Sequence, residues 1–298
     1  MSKLRRAAAA DTAPSAASGT GLTPAEGTGL PPPSEREFAF DERDFRRVRS
    51  LIYDYAGIKL SEQKRSMVYN RLSRRLRATG MADFAAYLER VQGADAAERE
   101  AFINALTTNL TAFFREPHHF ELLAAHATAA RAPLSIWSSA CSTGEEAWSA
   151  AMILRETARS GEILATDIDS EVLRTARAGV YRSDRIAHLD SARLRQHFLR
   201  GTGDNAGLVS VRPELRAMVK FAHRNLQAQW PAHERFDAIF CRNVVIYFDS
   251  ATQKRLLEQF AAILVPGGLL MVGHAESFPA GHPAFRACGR TAYTRRAD

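Results

Sequence analysis

A change of rhythm at Leu134 constrains this chain more than any other feature. Beyond it, short apolar runs alternate with amphipathic stretches. Leu134-Ser-Ile-Trp137, Glu162-Ile-Leu-Ala-Thr166, Val219-Lys-Phe-Ala222, Phe236-Asp-Ala-Ile-Phe240 and Leu269-Leu-Met-Val272 read as strands, with helical patterns over 146–158, 171–178 and 250–264. Such alternation implies an α/β fold with a parallel sheet covered on both faces. One passage breaks the rhythm. Residues 194–211 read as two strands around Thr202-Gly-Asp-Asn-Ala-Gly207, an inserted hairpin.

Residues 37–106 follow a helical period instead. Val48, Leu51, Ile52 and Tyr55 share one face, and Val68, Leu72 and Leu76 another. Shorter pieces begin near Phe84 and Phe102, so this is a small all-helical domain. Before it, 24 of the 28 residues from Ala7 to Ser34 are Ala, Gly, Pro, Ser or Thr. That composition cannot bury enough apolar surface to offset its ordering entropy, so residues 1–36 are expected to be disordered. The remaining chain is apolar enough for a sizeable core, yet no run approaches the roughly 20 residues of a membrane span. No secretory signal is legible at the start, and a cytoplasmic protein is the default. Cys141, Cys241 and Cys288 form neither a metal knuckle nor a disulfide framework.

The net charge of +7 is concentrated. Between Lys59 and Arg77 there are seven basic residues and one acid, Glu62. At 100° per residue, Lys64, Arg71, Arg74 and Arg75 fall in one stripe beside the Val68-Leu72-Leu76 face. A basic block of this kind suits an acidic partner: nucleic acid, an acidic protein surface or anionic lipid.

In open α/β sheets ligands bind outside the carboxyl ends of the strands. The first strand is followed by Ser138-Ser-Ala-Cys-Ser-Thr-Gly144-Glu-Glu146. A single glycine cannot make the dinucleotide fingerprint, and two acids at a helix start repel phosphate. They suit a cation such as an amino-acid ammonium, or merely complement the helix dipole. The second strand ends at Asp167, the usual place for an acid that binds both hydroxyls of a ribose. A ribose without a pyrophosphate, together with an ammonium, fits S-adenosylmethionine. After the fourth strand, Cys241-Arg-Asn243-Val-Val-Ile-Tyr247-Phe supplies either a floor for substrate and methyl group or a buried structural Asn-Tyr pair. His118-His119 could suggest a metal pair, but adjacent helical residues diverge and no acid cluster accompanies them, so no metal is expected. Cys141 and Cys241 would end neighbouring strands, but a reducing cytosol disfavours a disulfide.

Several motifs taken together resemble the chemotaxis receptor glutamate methyltransferases, the CheR type. They are Leu106-Thr-Thr-Asn-Leu-Thr-Ala-Phe-Phe-Arg115, Ser142-Thr-Gly-Glu-Glu146, Ala165-Thr-Asp-Ile-Asp169, Phe236-Asp-Ala-Ile-Phe-Cys-Arg-Asn243, Tyr247-Phe-Asp249 and Gly273-His-Ala-Glu-Ser277. The resemblance spans about Phe38 to Arg295. It implies a receptor-docking helical domain over 37–106 and an interdomain segment over 107–133 that contributes to the cofactor site. It further implies a class I, Rossmann-like methyltransferase domain over 134–298, with an inserted antiparallel β-subdomain at about 194–212. The implied reaction is methyl transfer from S-adenosylmethionine to receptor glutamates, giving γ-methyl esters and S-adenosylhomocysteine.

By the same resemblance, Asn109, Thr111, Arg115, Glu146, Asp167, Asn225, Leu226, Arg242 and Asn243 hold the cofactor, and Arg115 and Tyr247 line the reacting end. Ala147 and Trp148 stand where the family commonly has Pro and Tyr, which puts the helix-start geometry in question. The basic stripe would dock acidic methylation helices. Residues 198–211 resemble the hairpin of members that tether to a receptor C-terminal tail peptide. Two other readings compete. A nucleic-acid methyltransferase would typically show Asn/Asp-Pro-Pro-aromatic where this chain has Arg242-Asn-Val-Val, so no nucleic-acid partner is expected. A non-catalytic cofactor-binding module would be signalled by loss of Asp167 or Arg242, and both are present.

Overall fold

The computed structural model describes residues 36–276 and 282–297. The expectation of a disordered tail therefore falls almost wholly outside the described residues, as does Ser277 of the last motif. Four helices come first: α1 (Glu42–Ala56), α2 (Arg65–Thr79), α3 (Phe84–Gln92) and α4 (Ala96–Leu106). Asp41 and Asp44 close a capping box on α1, which satisfies backbone donors that the first turn leaves orphaned. Phe45, Val48, Ile52, Val68, Leu72 and Tyr87 form a core of their own, as the helical spacing implies.

A fifth helix, α5 (His118–Ala129), lies in the interdomain segment, 107–133. The α/β part follows: β1 (Leu134–Ser138), α6 (Glu145–Glu156), β2 (Gly161–Asp167), α7 (Ser170–Ala178), β3 (Val180–Arg182), α8 (Ser191–His197), β4 (Phe198–Arg200), β5 (Leu208–Val211), α9 (Pro213–Arg216), β6 (Val219–His223), β7 (Phe236–Cys241), α10 (Ser250–Ile263), β8 (Leu264–Val272), β9 (Phe285–Gly289) and β10 (Ala292–Arg295).

The main sheet has the order β6-β2-β1-β7-β8-β10-β9. The first five are mutually parallel, and β10 and β9 add an antiparallel edge. β1 lies between β2 and β7, so the chain leaves it in one direction along the sheet and later returns on its other side. That reversal opens a crevice beyond the carboxyl ends of β1, β2, β6 and β7. α6 is buried on every face from Glu145 to Leu154. It is enclosed because α5 and α9 pack against it as well as the sheet, and Trp148 on it bonds to Tyr181 of β3.

The β-subdomain differs from the expected hairpin. Strand β4 begins at Phe198 rather than Leu194, because Asp190 caps a helix over residues 191–197 first. A third strand, β3, joins immediately after α7, giving the order β3-β5-β4. Cys141 and Cys241 are buried free thiols. Among the described residues no helix is long and apolar enough to cross a membrane.

Candidate active site

A cavity of about 380 Å³ lies at the switch point. Asn109, Thr111, Arg115, Glu146, Asp167, Asn225, Leu226, Arg242, Asn243 and Tyr247 all line it, with Lys64 at the side of the helical domain. The fold thus brings every expected cofactor residue and both expected catalytic residues around one cavity. Arg71, Arg74 and Arg75 do not line it.

Asp167 ends β2 and is 7% exposed. Its Oδ2 accepts from the Ser142 backbone N–H at 2.8 Å and its Oδ1 from the Asp169 N–H at 3.0 Å. Those bonds aim the carboxylate and leave further lone pairs for a ligand diol. Burial nevertheless pushes its pKa up to about 6. Ser142 reaches this position with a left-handed backbone (φ 50°). Gly144, the N-cap of α6, has φ 97°, and a Cβ there would lie 2.9 Å from that of Ala176, so only glycine fits.

The two acids at the start of α6 part company. Glu146 lines the cavity; it accepts from Ser138 Oγ at 2.6 Å and from the Arg242 guanidinium at 2.9 Å. Glu145 turns away, pairing with Arg185 and accepting from Thr143 Oγ1. A cationic ligand group would therefore meet one carboxylate rather than two. Trp148 ties the start of α6 to the β-subdomain. Its indole donates to Tyr181 Oη at 2.9 Å, and Tyr181 donates to Thr143 O at 2.6 Å, tying the β-subdomain to the loop before α6.

Several expected cofactor residues bond to the protein itself. Asn109 donates to Asp169 Oδ2 at 2.8 Å, beside Thr107 Oγ1 at 2.7 Å, which fastens the linker to the N-cap of α7. Asn225 donates to Tyr55 O at 2.7 Å and fastens the end of α1 over the cavity. Arg242, 6% exposed, donates to Glu146 and to the Arg115 carbonyl. These residues build the walls from which backbone groups and the remaining side chains face inward. Arg115 donates to Leu110 O at 2.7 Å, and its neighbours Phe114 and Glu116 both have positive φ. Among the described residues, four of the six positive-φ non-glycines (Phe114, Glu116, Ser142 and Asn243) cluster here. Strain of this kind persists only where the surroundings over-determine it, and it marks functional sites.

The expected divergence of His118 and His119 does not hold. Their ring centroids are 4.1 Å apart, because both Nε2 atoms reach the Arg290–Thr291 turn. Glu116 lies beside them, and ligand atoms of the three are within 4.8 Å of one another. The positive charge next to Glu116 is already Arg242, 3.5 Å from Oε2. Burial, with help from Arg242, lowers the His119 pKa to about 4.

The basic stripe on α2 is also not the free surface its spacing implied. Arg75 forms a two-pronged pair with Glu98, which is 4% exposed and also accepts from Tyr87 Oη. Arg71 donates to the Ala105 and Thr107 carbonyls at the end of α4. Both arginines thus bind the helical domain together. Lys64 and Arg74 remain exposed. Sequence reasoning missed the anchoring role of Asp169, which a helix N-cap position signals, and the exposed rim residues Leu110 and Ile246, for which no sequence signal exists.

Comparison with known proteins agrees with this geometry. Residues 109–294 match the model of the CheR methyltransferase SAM-binding domain, and 43–107 that of the CheR methyltransferase all-alpha domain. The chain is 48% identical over 266 residues to the chemotaxis protein methyltransferase of Escherichia coli (strain K12), covering 87% of this chain and 93% of that one. It is 51% identical over 255 residues to the chemotaxis protein methyltransferase of Klebsiella aerogenes, covering 84% and 88%. It is 47% identical over 270 residues to chemotaxis protein methyltransferase 2 of Pseudomonas aeruginosa, covering 87% and 95%. The crevice at the strand ends, the buried acids that line it and these matches over most of the chain agree: the protein belongs to the CheR methyltransferase family, S-adenosylmethionine-dependent methyltransferases of chemotaxis.

Proposed function

We propose that the protein methylates glutamate side chains of chemoreceptors, and that the residues carried over from the family motifs do the work. The observation that carries this reading is a single cavity with Asp167 and Glu146 on its walls, closed by the helical domain and edged by Arg115, Tyr247 and Lys64. The donor set fits S-adenosylmethionine: Asp167 for the ribose diol, Glu146 for the ammonium and Leu226 for an apolar ring face. When bound, that cofactor supplies a methyl group on a sulfonium.

The acceptor needs no general base. A glutamate carboxylate has a reference pKa near 4.3 and is ionised at neutral pH. Alignment and exclusion of water are what the chain supplies. Arg115 orients the incoming carboxylate. The Tyr247 hydroxyl, which has no protein partner among the described residues, donates the second contact. Too tight a salt bridge would stabilise the ground state and slow transfer, so one half-buried arginine suits the task better than a cage of charges.

Docking falls to the basic residues still exposed: Lys64 and Lys59 at the cavity rim, and Arg74 further along α2. They complement an acidic methylation helix. The edges of the β-subdomain, with Val180 and Leu199 exposed beside them, suit an extended receptor tail peptide. Gly203→Val, at φ 57°, should strain the β4–β5 loop and impair that contact.

The test is transfer of tritiated methyl from S-adenosylmethionine to membranes with and without chemoreceptors. Base-labile label on receptors alone supports the reading. Label on nucleic acid, or none on receptors, would overturn it.

A further inference from the structure

Of the motif Gly273-His-Ala-Glu-Ser277, none of the described residues (273–276) lines the cavity, yet its glutamate gathers four backbone donors beside it. Glu276 is 5% exposed. Its Oε2 accepts from the backbone N–H of Asn243 at 2.8 Å and of Gly273 at 2.6 Å. Its Oε1 accepts from Val245 N–H at 2.7 Å and Ile246 N–H at 3.2 Å. One buried carboxylate thus gathers four backbone donors from the ends of two adjacent strands, since Cys241 of β7 pairs with Val272 of β8.

Three of those donors belong to the loop that carries Asn243 and Tyr247; the fourth, Gly273, follows β8. Asn243 holds a left-handed backbone, φ 58°, which costs free energy unless the surroundings enforce it. The loop's amides turn back toward Glu276 while Asn243, Ile246 and Tyr247 line the cavity. Gly273 completes the arrangement. A Cβ there would lie 2.4 Å from Asn243 Nδ2 and 2.8 Å from Glu276 Oε2, so the absence of a side chain lets carboxylate and loop meet.

We propose that Glu276 is a positioning residue for methyl transfer: it fixes the Asn243–Tyr247 loop so that Tyr247 meets the acceptor carboxylate. This rests on the placement of the reacting end at Tyr247. Charge-assisted bonds from one carboxylate to three amides of the loop, and a fourth to Gly273, hold that loop more tightly than neutral bonds would. A misplacement of about 1 Å at a reacting centre can cost on the order of 10²-fold in rate. Asp167 and Glu146, assigned to the ribose and the ammonium, make no hydrogen bond to Glu276, whereas Asn243 and the Tyr247 loop do depend on it, so kcat should respond more than cofactor affinity.

The experiment measures kcat per cofactor-binding site, with sites counted by calorimetry against S-adenosylhomocysteine, for three variants. Glu276→Gln replaces an acceptor oxygen with an NH2 that faces backbone donors. Glu276→Asp keeps the charge but is one methylene shorter. Gly273→Ala leaves the carboxylate in place but wedges a Cβ between it and Asn243, 2.4 Å from Asn243 Nδ2 and 2.8 Å from Glu276 Oε2. Glu276→Gln should lower kcat about 10²-fold with S-adenosylhomocysteine affinity within about tenfold, and the other two should fall between it and wild type. In a Tyr247→Phe background the same changes should cost far less, because both act at one contact. Should Glu276→Gln not fold, the other two variants decide.

Variants that lose only their fraction of binding sites, with normal kcat in the remainder, would show a purely structural role and overturn the proposal. Losses that multiply in full with Tyr247→Phe would also overturn it. If Tyr247→Phe alone leaves kcat unchanged, the placement of the reacting end fails, and the proposal with it. If Tyr247→Phe lowers kcat and the Glu276 and Gly273 variants do not, only the positioning role fails.

Discussion

Helix α2 and the crevice at the strand ends both carry polar residues in large number, and they use them in opposite ways. On α2 the arginines project from one rod, and whatever packs against the rod decides the use of each. Arg75 meets buried Glu98, Arg71 meets the carbonyls at the end of α4, and Arg74 meets water. In the crevice the polar groups come from strand ends and loops far apart in sequence, and backbone amides aim them. Asp167 is held by the Ser142 and Asp169 amides, and Glu276 by four amides of its own. A charge stripe on a helix is therefore a weak guide to a binding face, whereas acids at the carboxyl ends of parallel strands are a strong guide to a site.

The sharpest way to break this contrast is Arg75→Glu. If Arg75 were a docking residue, its reversal would change receptor affinity and leave the fold alone. Opposed to buried Glu98, it should instead cost about 3–5 kcal/mol of stability, because it leaves a buried carboxylate facing another negative charge. Denaturant unfolding measures it, and a stability within 1 kcal/mol of wild type, at about that limit, would return Arg75 to the surface.

Asp167→Ala tests the crevice in the same manner. It should weaken S-adenosylhomocysteine by roughly 2–4 kcal/mol by calorimetry, since two hydrogen bonds to a charged acceptor disappear, while the Ser142 and Asp169 amides it frees lower stability, which denaturant unfolding reads separately. An unchanged affinity would move the ribose elsewhere.

A smaller effect separates binding from chemistry by pH. Burial raises the Asp167 pKa to about 6, so its ionised form, the better acceptor, is complete well above that value and lost below it. Affinity for S-adenosylhomocysteine should be level above about pH 7 and weaker by up to about tenfold at pH 5, one unit below that pKa. The turnover number should stay nearly flat from about pH 6.5 to 8.5, because no proton moves in the transfer step. A kcat that rises through a pKa near 7 and flattens on mutation of one histidine would establish a general base.

The smallest effect concerns the exposed charges. Lys64→Glu with Arg74→Glu should raise the receptor KM severalfold at low salt and leave unfolding unchanged, and the difference from wild type should shrink as ionic strength rises. Equal KM values at low salt would mean that this face is merely solvated.

Legible in the sequence alone are the alternation of strands and helices, the helical domain before it, Asp167, Arg242 and Asn243 at or just past strand ends, and Glu146 at a helix start. These are local properties: a period of two or near 3.6 residues, a cap, and an acid placed where a strand stops. The tertiary structure decided the rest. It set the bounds of α5 within the interdomain segment, and it recruited the three-residue β3, too short to leave a periodic trace. It turned Glu145 away from the cavity and Glu146 toward it, although the two are adjacent and alike. It drew Arg71 and Arg75 inward because Glu98 and the end of α4 lie across from them. It also brought Glu276 onto a loop some thirty residues distant. A carboxylate or guanidinium pairs with whatever opposite group packing brings within about 3 Å, and no local pattern encodes which group that is.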